Sequence, residues 1–192
     1  MVATTVAAVR GDPTVTPLRM AGSHLAGLVT GASAFFFAAA AVGAAAPTPG
    51  RGALMALGIV VLAVGAAGAL GASVRVLSSP KQVPKAWSRT MTPAEHAFAY
   101  GVGLGMGVLT RIPTWSLHVL LLVILIAADV RVALVAAALY AIGRAIPVAV
   151  SAGRDDPAPA FVDAIDRARP VAFRIDGVVV ALAGVALLAR AA

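Results

Sequence analysis

The chain has no cysteine. That absence excludes disulfides, thiolate metal sites and any thiol redox relay carried by its own residues, and it leaves the redox compartment open. Charge is the next shortage: Asp, Glu, Lys and Arg make up 12% of the 192 residues, against about a quarter in soluble domains. Acids are the scarcer sign, eight against fifteen Lys and Arg. Long polar stretches are missing as well, so a separate soluble catalytic domain has no room. No nucleophilic triad, carboxylate pair or phosphate-cradling loop is present, and neither enzymatic activity nor a cofactor is expected. The histidines, His24, His96 and His118, lack second ligands at convincing spacing, so no metal is expected either.

What fills the chain instead is apolar mass, 60% of the residues, with a mean hydropathy of +0.95. The solvent it fits is the lipid bilayer. The expected fold is an all-α, polytopic membrane helical bundle in the cell membrane. The formal net charge of +7 does not point to nucleic acid, because no basic face with interleaved aromatics is visible. The cations sit in short connectors, where they fix orientation across the membrane.

Residues 1–23 read as a solvent-side tail and 24–192 as a single transmembrane domain. The first apolar tract, Leu25 to Ala46, carries Gly27 and Gly31, a spacing that lets helix backbones approach closely. Ala44-Ala45-Ala46 before Pro47 is similar to a signal-peptidase site, but the apolar core is longer than a signal core, and a retained helix is expected. Pro47 to Arg51 is a turn, and Gly52 to about Leu77 a second span with Gly58, Gly65, Gly68 and Gly71 near one face. Ser78 to Thr92 is a cation-rich connector with Trp87 as interfacial anchor. Thr92-Pro93-Ala94-Glu95 has the capping-box pattern of a helix start. Beyond the tract that follows, Asp129-Val130-Arg131 makes a short turn into a span from Val132 to about Ala152. A second connector, Gly153 to Arg169, holds an interfacial amphipathic helix between Pro159 and Pro170, and the last span runs from about Val171 to Leu188.

The tract from Ala94 to Ala128 is too long for one ordinary span and is interrupted by Gly101, Gly103, Gly105 and Gly107, then Thr110-Arg111-Ile112-Pro113-Thr114. Backbone groups freed within a bilayer survive only where protein or a wet cavity surrounds them, so a broken or re-entrant central helix is expected there. One crossing gives five spans; two give six. The glycines give small faces for helix packing at i and i+4, and their every-second spacing is no dinucleotide fingerprint. Arg111 and Arg144 lie inside apolar tracts, where each needs an acid, carbonyls, water or an anionic ligand. Glu95, Asp129 and Asp176 are the acids within range of the spans. The functional reading makes Thr110, Arg111, Pro113, Thr114 and Arg144 a substrate-binding set for an anionic substrate in a transporter-like protein. The structural reading makes the arginines ion-paired or snorkelling, with Thr110, Thr114 and Ser116 satisfying freed carbonyls. The alternative function is a non-catalytic subunit that anchors a membrane or redox partner, or pairs with a second copy, through its glycine faces.

The run from Gly101 to Pro147, with Thr110-Arg111-Ile112-Pro113 and then Tyr140-Ala141-Ile142-Gly143-Arg144-Ala145-Ile146-Pro147, resembles half of the CcdA/DsbD-type transmembrane electron carriers of cytochrome c biogenesis. The resemblance implies a discontinuous helix at Thr110 to Thr114 facing a cavity. It does not bring that family's thiol relay, since no cysteine stands at the break.

Overall fold

A computed structural model describes residues 17–72, 87–107, 114–152 and 159–192. Every regular element among them is an α-helix: α1 (Pro17–Ala45), α2 (Arg51–Ala69), α3 (Trp87–Thr90), α4 (Pro93–Gly105), α5 (Ser116–Ala127), α6 (Val130–Ala152) and α7 (Pro159–Ala191). Four of them, over Leu18–Ala45, Arg51–Ala69, Val130–Ala149 and Asp166–Ala191, are long and apolar enough to cross a membrane. The protein is a membrane-embedded helical protein.

Helix ends follow local chemistry. Pro17 starts α1 as a residue whose ring pre-sets the helical φ and whose missing N–H is not needed there. The start is earlier than a tail through residue 23 allows, and Leu18 to Ser23 belong to the helix. Helix α2 ends at Ala69 and not near Leu77. Gly71 takes φ +87°, its N–H donates to the Gly68 carbonyl and the Ala72 N–H to that of Ala67, a Schellman closure in which glycine avoids left-handed strain. Thr92, Pro93 and Glu95 form the capping box: the Thr92 N–H donates to Glu95 Oε2 at 2.8 Å and the Glu95 N–H to Thr92 Oγ1 at 3.4 Å. Ala128, at φ 51°, closes α5 and turns the chain directly into α6.

The expected interfacial helix and last span are one helix, α7, with Pro170 inside it. Proline at that position frees the carbonyl one turn earlier, at Asp166, and residues 166–172 are exposed.

The chain divides into two compact units. The first takes in α3, α4, most of α1 and nearly all of α6. Within it α1 and α4 run parallel: Ser23 Oγ donates to the Ala94 carbonyl, Gly27 lies on Phe98, Gly31 on Val102, and Gly105 on Ala32. A Cβ added at Gly27, Gly31, Gly101 or Gly105 would enter the facing backbone. Between lipid-solvated helices no hydrophobic force favours contact, so close backbone approach and polar bonds hold such a pair. Helix α6 runs antiparallel to α1. Residues 145–149 line a groove with 18–25, while Tyr140 meets Phe36 edge-on at 5.7 Å. Leu28, Leu104 and Ala141 form the core of this unit.

The second unit holds the end of α1, α2, α5 and most of α7. Here α2 and α7 are antiparallel, their partners falling in number as α2 rises: Gly58 on Leu188, Leu62 on Gly184, Gly65 on Ala181, and Gly68 on Gly177. Val61, Val119, Val180 and Leu187 form its core.

Candidate functional site

Thr110, Arg111 and Pro113 lie outside the described residues. Thr114 is half-buried and its Oγ1 accepts from Ser116 Oγ at 3.4 Å. Gly103 is buried on α4; Gly107 lies past the end of that helix, at φ +69°.

Where α4 ends, carbonyls lose their helical partners. One of them, Leu104 O, is served twice, by the Gly107 N–H at 3.1 Å and by the Tyr140 hydroxyl from α6 at 3.3 Å. That hydroxyl in turn accepts from Arg144 Nε at 3.1 Å, and the guanidinium stands 5.4 Å from the Tyr140 ring centre. Residues 140 and 144 are one turn apart, so α6 presents both to the same place. A cation is thereby linked, through one hydroxyl, to the negative end of the α4 dipole. The charge also acts on the His24 and Tyr100 rings, which stack at 5.6 Å. Half-buried Arg144 meets no carboxylate among the described residues; Glu95 is engaged by Thr92, and Asp129 is exposed at the α5–α6 turn.

In the second unit the mirror arrangement serves the start of α5. Asp176 of α7 accepts from the Trp115 backbone N–H at 3.1 Å, placing a carboxylate at the positive end of α5. Its neighbour Arg174 lies beside Gly71, at the negative end of α2.

Sequence reasoning named Arg144 but gave Tyr140 no role, and it gave Asp176 as an acid within range of the spans without its bond to the start of α5. The i, i+4 spacing of Tyr140 and Arg144 was the available signal; nothing local marks Asp176 as a cap for a helix 60 residues earlier. His24 is buried, 4% exposed, about two turns into α1.

No protein-family model matches the chain, and no curated protein or solved structure matches it.

Proposed function

We propose that the protein is a five-span membrane protein of transporter-like type, in which the central span is broken and Arg144, with Arg111, receives an anionic substrate at the break. Helices α4 and α5, of 13 and 12 residues, are about 20 and 18 Å long against a hydrocarbon core of about 30 Å, so neither crosses alone. Direction adds a second argument. Two crossings between α2 and α6, or a re-entrant dip with none, would make α6 parallel to α1 and α7 parallel to α2. Both pairs are antiparallel, as a single crossing requires. The same topology leaves Arg51, Arg131 and Arg190 on one side and the cations of the tail and both long connectors on the other, in keeping with the positive-inside bias.

The observation that carries the anion reading is Arg144 itself, a guanidinium within an apolar helix that is held by a tyrosine and meets no acid among the described residues. A charge kept at that depth without a counter-ion favours an anionic ligand. The freed carbonyls nearby would repel one, and Tyr140 covers Leu104 O. The resemblance to CcdA/DsbD-type carriers, in architecture alone, agrees with a cavity at the break.

The test is flux of small carboxylates and inorganic anions into liposomes containing the purified protein, compared with Arg144→Gln and Arg111→Ala. Uptake of at least one anion that both variants reduce tenfold or more is expected, a change of about 1.4 kcal/mol. No uptake of any anion, or uptake indifferent to both substitutions, overturns the reading.

A further inference from the structure

A second feature of the first unit is unconnected to anion handling. Where α3, the first turns of α4 and the second turn of α1 meet lies an open pocket of about 690 Å³, lined by Ser23, Thr90, Met91, Glu95, Phe98 and small apolar residues. Glu95 is its one charged side chain among the described residues. The carboxylate is exposed, so it carries its charge at neutral pH. Both bonds that fix it, from the Thr92 N–H and the Thr92 hydroxyl at 2.8 Å each, fall on Oε2. Oε1 therefore stays available to accept from a ligand. Ser23 Oγ commits its proton to the Ala94 carbonyl at 2.9 Å and can only accept from anything else. Phe98 follows Glu95 by one turn on the same face and is 39% exposed.

A negative charge, acceptors with no proton to offer and an aromatic ring are the lining that an organic ammonium binds and that an anion avoids. The setting supplies the other end of the ligand. Ser23 stands five residues after the start of the apolar stretch Leu18–Ala45, about 8 Å along the helix, close to where hydrocarbon gives way to headgroups. From the lining and this depth together, we infer that the pocket takes the head of an ethanolamine phospholipid, whose ammonium donates to Glu95 Oε1, with Ser23 Oγ as second acceptor and the Phe98 ring against the charge. Its volume is within the range of ligand sites. A primary ammonium has three protons to donate, the quaternary ammonium of a choline lipid has none, and a glycerol head brings no cation at all. Ethanolamine is thus the head the acceptors select.

The experiment is equilibrium binding of a phosphatidylethanolamine, labelled with a fluorophore on one acyl chain, to the full chain in detergent micelles. Unlabelled phosphatidylethanolamine, phosphatidylcholine, phosphatidylglycerol and soluble ethanolamine serve as competitors. Saturable binding of one labelled lipid per chain at this site is expected, displaced by phosphatidylethanolamine in preference to the other three. Glu95→Gln removes the charge and spares the fold, because glutamine completes a capping box as glutamate does. It is expected to weaken binding about tenfold, the lower end for a hydrogen bond to a charged group. Phe98→Leu keeps apolar bulk at an exposed position and removes the ring, with a loss of about 2-fold to 5-fold expected. Displacement by phosphatidylcholine as effective as by phosphatidylethanolamine, preference for phosphatidylglycerol, displacement by soluble ethanolamine at the concentration at which the lipid suffices, or binding unchanged in Glu95→Gln would each overturn the assignment.

Discussion

Replacing Asp176 isolates what holds the start of α5. The carboxylate does two things there: it accepts the Trp115 N–H at 3.1 Å, and it sets a negative charge at the positive end of a helix. A charge at a helix terminus contributes about 0.3–1 kcal/mol when exposed and up to about 2 kcal/mol when partly buried. Losing that charge also relieves the cost of keeping a carboxylate near lipid, which has the opposite sign, so neither substitution alone is readily interpreted. Asp176→Asn and Asp176→Ala both lose the charge, and only Asn retains an acceptor of the right reach. Their difference therefore reports the hydrogen bond, expected at about 0.6–1.7 kcal/mol from the range for such bonds inside membranes. The assay is reversible unfolding in mixed micelles, followed by fluorescence in a Trp87→Phe background. Of the two tryptophans in the chain this leaves Trp115, the residue whose N–H is bonded. Equal stability of the Asn and Ala variants, or Ala the more stable, would refute the capping role.

Two further outcomes follow from the packing. Gly65→Leu drives a side chain into the backbone of α7 at Gly177 and Ala181 and is expected to cost about 1–3 kcal/mol, the usual range for overpacking, whereas Gly143→Ala, inside α6 with nothing within 4 Å of an added Cβ, should be no less stable than the parent, since alanine is favoured over glycine in a helix interior. Tyr140→Phe takes the side-chain donor from Leu104 O and leaves Arg144 Nε without its hydroxyl partner; a loss of about 0.6–1.7 kcal/mol is expected in the same unfolding assay.

The parts of the fold legible in the sequence are those written by near neighbours. Thr92, Pro93 and Glu95 announce the start of α4 because a capping box needs only four consecutive residues, and hydropathy alone marks the membrane helices. Misreadings arise where one residue type serves two purposes. Gly65, Gly68 and Gly71 share a spacing, yet the first two pack on α7 while the third closes α2 in the left-handed region. Pro170 looked like a boundary, because the exposure that lets a helix continue through proline is a tertiary property. The partners of the end of α4 and the start of α5 were the least legible. Tyr140 reaches Leu104 across 36 residues, and Asp176 reaches Trp115 across 61.

The topology proposed for the tract containing α4 and α5 is a single crossing of the membrane. Topology reporters placed in turn at Asp129 and at Arg154 test it most directly, because the two sites exchange sides if the number of crossings changes by one. A single crossing puts Asp129 outside and Arg154 in the cytoplasm. The reverse pattern, Asp129 in the cytoplasm with Arg154 outside, would contradict it.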